Sequence, residues 1–148
     1  MAVAATDTRT RLARWAQARP GTTLPELVKI PDHRQIFMFS AATWNRHAVH
    51  YSTTSAQSEG FRDVVVQRAL IGNYLAQLIT EWIGEEGELE QLQWKVVHSA
   101  YPGDTLTCSG EVVENLALES GRRIRCEVRM MNQEGQIIAR GEARVGIL

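Results

Sequence analysis

The chain has 148 residues, a formal net charge of −1, and 44% hydrophobic against 22% charged residues. That length fits one domain with a core large enough to need no staples, and the apolar content excludes wholesale disorder. The near-neutral balance, with basic residues scattered among acidic ones, gives no field to gather nucleic acid or a membrane surface.

The chain opens MAVAATDTRTRLARW, which lacks the continuous apolar stretch of a secretory signal, and no later run has the length of a membrane span. The expected location is therefore cytoplasmic. Thr6 or Asp7 is placed to cap a short helix with Leu12, Trp15 and Ala16 on one face, and Pro20-Gly21 ends it. Residues 1–21 are expected to form a helix or arm, and residues 22–148 the main domain. Pro25 and Pro31, after that stop, mark an extended connection.

Gln35 to Thr43 is a strand-like run, and Trp44 to Gly60 is polar and irregular, holding His47 and His50. Val64 to Ile83 predicts the longest helix: Ile71, Leu75, Leu78, Ile79 and Trp82 follow helical spacing, and Val65, Val66, Ala69 and Leu70 widen the stripe. A helix apolar over most of its circumference must be nearly buried. Gly84 is placed to stop it.

The remainder alternates with period two, as half-buried antiparallel strands do. Leu92, Trp94, Val96 and His98 share the first face, and Leu106, Cys108, Gly110 and Val112 the second. Ile124, Cys126, Val128 and Met130 make the third, and Ile137, Ala139, Gly141, Ala143 and Val145 the fourth. The expected result is a four-strand meander. Cys108 and Cys126 sit among apolar neighbours and fit buried thiols better than a redox pair. One buried helix needs a sheet curved about it, so the fold class is α+β.

Loops carry sites, and Asn45, His47 and His50 lie in the polar one. Histidine titrates near neutrality and can move a proton either way. An amide such as Asn45 orients a water or carbonyl without exchanging a proton. His47 and His50, three apart, would share a face on a helical turn. Residue pattern alone favours surface histidines in a solvated loop. A zinc site would need a third protein ligand, and nothing ties His33 or His98 to this loop, so neither metal nor cofactor is expected.

Phe39-Ser40-Ala41-Ala42 followed by Thr43 to Tyr51 (TWNRHAVHY) resembles the S-G-A-T-G-D-x-N-P-[IV]-H-Y signature of MaoC-like hydratases and (R)-specific enoyl-CoA hydratases. Glu59-Gly60-Phe61, Val64-Val65-Val66 with Leu70, and Pro102-Gly103-Asp104-Thr105-Leu106 resemble that family's EGF, V-I-V-H-G-x-L and PGDTL segments in the same order. Thr43, Asn45, His47, His50 and Tyr51 also match the T-F-N-x-H-R-I-H-Y loop of type-2 hydroxyacyl-thioester dehydratases and mesaconyl-CoA-type hydratases. The resemblance implies a single hotdog fold, a long central helix wrapped by one curved antiparallel sheet. It implies reversible hydration or dehydration of an enoyl or 3-hydroxyacyl thioester on coenzyme A or an acyl-carrier protein.

In those terms His50 is the catalytic acid and base, Asn45 stands where most of the family has Asp, and His47 shares proton work or holds the loop. The family's His-Gly at the helix start is Gln67-Arg68 here. The backbone N–H groups of Arg68 and Ala69 then face the thioester carbonyl, as substrate-binding donors at a helix N-terminus. The resemblance implies a homodimer, or a heteromer with a second hotdog chain. Loss of Asp and Gly at two key positions is also what a degenerate, acyl-binding subunit paired with an active partner would show. A thioesterase on the same fold would want an acid on the central helix, where only Glu81 is found.

Overall fold

The computed structural model describes residues 18–119 and 121–147; the helix expected around Leu12, Trp15 and Ala16 lies outside them. In chain order the elements are β1 (Leu27–Lys29), α1 (His33–Thr43), a 3-10 turn (Ala48–His50) and α2 (Thr53–Ser58). Then come α3 (Arg68–Ile83), a second 3-10 turn (Gly84–Glu86), β2 (Gly87–Val96), β3 (Leu106–Leu118), β4 (Gly121–Met131) and β5 (Ile137–Ile147).

The long helix forms where the apolar stripe put it, although it starts at Arg68 rather than Val64. Val64 to Val66 are instead extended, because Val65 N–H donates to Val49 O at 3.0 Å and Val66 N–H to Ala100 O at 2.9 Å. These amides are spent on neighbouring chain before the helix begins. Ile71, Leu75, Leu78, Ile79 and Ile83 are fully or almost fully buried, each contributing about 1.5–3 kcal/mol. They pack against Leu106, Cys108, Val112, Ile124, Cys126, Met130, Ala139, Ala143 and Val145 on the inner face of the sheet. This is the hotdog arrangement, α+β. Burial pushes both thiols, Cys108 and Cys126, up to about 12, as inert small hydrophobes.

Two expectations need correction. Gln35 to Thr43 is helix, not strand. Asp32 caps it, accepting from Gln35 N–H at 2.7 Å, and left-handed Trp44 closes it with φ of 56°. Ile36 and Ser40, one turn apart, face inward, while Phe37 and Met38 stay exposed.

The four long strands are also not a simple meander. The order is β1-β3-β4-β5-β2, antiparallel throughout. β2 returns beside β5, and residues 97–105 cross to the opposite side before β3 starts. His98 falls outside β2, its ring Nδ1 donating to Ile137 O at 2.7 Å. Pairing irregularities at Leu89/Gln91, Val112/Glu114 and Met130/Met131 supply the local twist that curves a sheet around a helix. Ten-residue β2 is left as one edge, and β1 covers only three residues of the other.

Candidate functional site

The loop after α1 is shaped by its own polar groups. Asn45 N–H donates to Ser40 O at 2.9 Å, and Asn45 Oδ1 accepts from His47 N–H at 3.1 Å. That second bond turns the chain two residues on, as Asx side chains do. Tyr51 Oη donates to Arg46 O at 2.7 Å and ties off the far side. Between them Ala48–His50 makes one 3-10 turn. The region is therefore folded, not irregular, with α2 following directly.

His50 is half-buried, and its Nδ1 lies 2.7 Å from Val65 O. A carbonyl only accepts, so Nδ1 carries the proton and Nε2 of the neutral ring keeps its lone pair. Burial pushes the His50 pKa below the ordinary 6.5; the Val65 bond pulls upward, His47 adds to the lowering, and Glu59 opposes it. The net result is a neutral imidazole at physiological pH with one nitrogen fixed and the other available.

His47 is exposed and stands edge-on to His50, ring centroids 5.8 Å apart at 84°. Its Nε2 donates to Glu59 Oε1 at 3.3 Å. Glu59, just past α2, was not singled out as a site residue; its proximity to the histidines depends on the turn formed by α2. Among the described residues no direct bond joins Asn45 to His50. The structure thus brings His47 and His50 together and sets Asn45 as a bracket for the loop, with its amide nitrogen left for another acceptor. His33 is elsewhere engaged, Nε2 donating to Asp63 Oδ2 at 3.1 Å.

Arg68 and Ala69 are the first residues of α3. Their amides belong to the turn whose N–H groups have no partner inside the helix. Val65, which holds His50, lies three positions before Arg68, a span of at most about 10–11 Å. The bulk of Arg68 is directed away along the sheet: its Nη2 donates to Trp94 O at 3.1 Å, and Trp94 Nε1 donates back to Arg68 O at 3.0 Å.

Gln67 is the residue that sequence reasoning undervalued. It is 1% exposed, and its Nε2 donates to Ile36 O at 2.7 Å and Ser40 Oγ at 2.8 Å. It therefore bolts α1 to the start of α3. Its Oε1 is buried without a partner among the described residues. The signal available was a polar residue directly after the apolar run Val64-Val65-Val66 and before the apolar helix.

No group of three His, Cys, Asp or Glu among the described residues is arranged to hold a metal ion, and no described helix is long and apolar enough to cross a membrane. A cleft of about 890 Å³ lies on the outer face of the sheet, lined by Glu26, Ser109, Glu111, Glu127, Arg129 and Arg140 among others. None of its lining residues comes from the loop or from α3, so the chemistry of the histidines is not housed there.

Residues 4–102 match the family model of hydroxyacyl-thioester dehydratase type 2. A mesaconyl-C(4)-CoA hydratase from Chloroflexus aurantiacus is 42% identical over 50 residues, 33% of this chain. That stretch is 18% of the hydratase's own length. Among solved structures, the (R)-hydratase PhaJ1 of Pseudomonas aeruginosa superposes with a TM-score of 0.81 at 23% identity, over 90% of this chain and 84% of that one. The ChsH1-ChsH2 complex of Mycobacterium tuberculosis gives 0.77 at 25% identity, over 88% of this chain and 98% of the matched one.

Proposed function

The chain belongs to the hydroxyacyl-thioester dehydratase type 2 family, and from that premise we propose that it interconverts an enoyl thioester and water with a 3-hydroxyacyl thioester. The observation that carries the reading is the bond from His50 Nδ1 to Val65 O, which leaves Nε2 as a neutral base. In dehydration, Nε2 removes the C2 proton and negative charge develops on the thioester oxygen. The N–H groups at Arg68 and Ala69, at the positive end of α3, stabilise that charge. The C3–oxygen bond then breaks, and the hydroxyl leaves as water with the proton His50 had taken. Hydration runs the same path backward. The free amide nitrogen of Asn45 orients the water or hydroxyl, and His47, braced by Glu59, sets the ring of His50 edge-on.

The carrier is coenzyme A or an acyl-carrier protein. Among the described residues the outer edge of β2 has no neighbouring strand, and such an edge invites a second sheet. We infer a symmetric homodimer in which the neighbour closes the acyl tunnel. The experiment is incubation of the purified protein with a panel of short and medium enoyl-CoA thioesters, following loss of absorbance from the conjugated bond. Loss with at least one member is expected; a folded protein inert to all of them contradicts the reading.

A second reading is favoured by Asn45 and Arg68, which replace the acid and the glycine of the wider family. In it the chain binds the acyl group and pairs with an active hotdog partner. Mass in solution separates the two. A homodimer elutes near twice 16.6 kDa when expressed alone; a monomer, or insolubility cured by a second hotdog chain, favours the subunit.

A further inference from the structure

Arg68 poses a steric problem that the structure resolves. Where the family places glycine at the start of its central helix, a thioester approaches the backbone closely, and a long side chain there would stand in its path. Here that side chain is held by one residue of the edge strand. Trp94 O receives Arg68 Nη2 at 3.1 Å, Trp94 Nε1 reaches Arg68 O at 3.0 Å, and the guanidinium carbon lies 5.0 Å from the indole centroid. Both hydrogen bonds and the cation–π contact act between the same two residues, so the arginine is restrained by its head as well as its backbone.

The indole has a place to lie because Gly72 vacates it, and Gly141 leaves room for the strand backbone that carries it. A Cβ on Gly72, one turn into α3, would sit 2.3 Å from Trp94 Cζ2. A Cβ on Gly141, opposite Trp94 on β5, would sit 2.3 Å from Gln93 O and 3.1 Å from Trp94 Cβ. Helix, edge strand and neighbouring strand thus jointly define the slot in which the indole sits.

We propose that Trp94 is a positioning residue for the thioester: it draws the Arg68 side chain onto the sheet edge and so keeps the amide end of α3 open to the carbonyl. The inference rests on the proposed activity, because it assigns the carbonyl to that helix end. Arg68 is compatible with the site through Trp94, and the two residues form one functional unit.

The test is a mutant cycle read as KM and kcat on an enoyl-CoA that the protein hydrates. Trp94→Leu, which removes the ring over the guanidinium and leaves Arg68 held only by the backbone carbonyl of residue 94, should raise KM and lower kcat/KM severalfold. Trp94→Phe keeps a ring in the slot and removes the Nε1 donor, so its effect should be smaller, and it carries the test if the leucine variant does not fold. Adding Arg68→Gly to either should recover most of the loss. Glycine weakens a helix, so recovery cannot come from added stability. A double variant no better than its folded single parent would overturn the proposal.

A second readout needs no substrate. The Arg68 Nη–H resonances, identified by their absence in Arg68→Gly, should exchange slowly with water in the wild type and faster in Trp94→Leu, where the ring over the guanidinium is gone. Rapid exchange already in the wild type overturns the arrangement whatever the activity. Inactivity of the wild type on every thioester sinks the proposed reaction, while a protected resonance in that same protein still supports the Arg68–Trp94 arrangement.

Discussion

His50 is joined to Val65 through its ring, and the backbone of Val49 beside it makes a second join. The imidazole Nδ1 of His50 donates to Val65 O at 2.7 Å, and Val65 N–H donates to the carbonyl of Val49, the residue beside the histidine, at 3.0 Å. The pair clamps the loop to the extended segment that leads into α3. It also fixes the tautomer, so one contact sets the position, orientation and proton inventory of the proposed base. Burial around the clamp lowers the pKa, which keeps the ring neutral where a solvated histidine would be half protonated.

A base that must be neutral loses activity on the acid side as it protonates. Because His50 titrates below 6.5, the acid limb of kcat/KM should fall with its midpoint below that value. A midpoint above 6.5 would mean that another group, or a charged histidine, governs the reaction.

The same shift has a stability consequence of definite sign. In the folded chain His50 binds its proton less tightly than in the unfolded chain, where the ordinary 6.5 applies. Between the lowered value and 6.5 the unfolded state therefore holds more protons, and stability rises with pH. The contribution is fully present above 6.5 and is lost as pH falls through the folded value. Denaturant midpoints measured across pH 5–7 (about one to two units around that ordinary value) should show a shallower acid slope for His50→Asn than for the wild type. Equal slopes would place the titration elsewhere.

Gln67 holds α1 against α3 with two buried hydrogen bonds. Gln67→Ala removes both and should cost about 1–3 kcal/mol, visible as a lower urea midpoint. The loop hangs from the end of α1, so activity should fall along with stability. A variant as stable as the wild type would show that the bolt carries no net energy, the unpartnered Oε1 having already offset it.

Gly72 has no room for a methyl group beneath Trp94. Gly72→Ala gains helix propensity yet must displace the indole, and overpacking of this kind costs about 1–3 kcal/mol. Thermal melts should show a lower Tm. An unchanged or raised Tm would mean that the indole moves freely, which also weakens the case for its hold on Arg68.

Much of this was legible in the sequence because burial leaves a period. The 3.6-residue stripe from Ile71 to Ile79 and the alternation through Cys108, Cys126 and Ala143 gave the helix and the strands their faces. Strand order leaves no period, so nothing in the spacing could show β2 crossing to pair with β5. In α1 the run Ile36 to Phe39 looks extended because three of its four residues are large and β-favouring. The deciding signal was upstream, where Asp32 stands three residues before Gln35 as a helix cap. At the candidate site, the loop motif is what nominates His47, His50 and Asn45. The partners Glu59, Val65 and Trp94 were hidden, since each meets the motif only through tertiary packing.

The most direct measurement is the hydration rate of one enoyl-CoA by the wild type and by His50→Ala, at equal protein concentration and with folding verified by circular dichroism. Loss of a general acid–base group lowers turnover by about 10²–10⁴-fold, and the account predicts a fall in that range while acyl-CoA binding persists. A folded His50→Ala protein that hydrates the thioester at nearly the wild-type rate would contradict it.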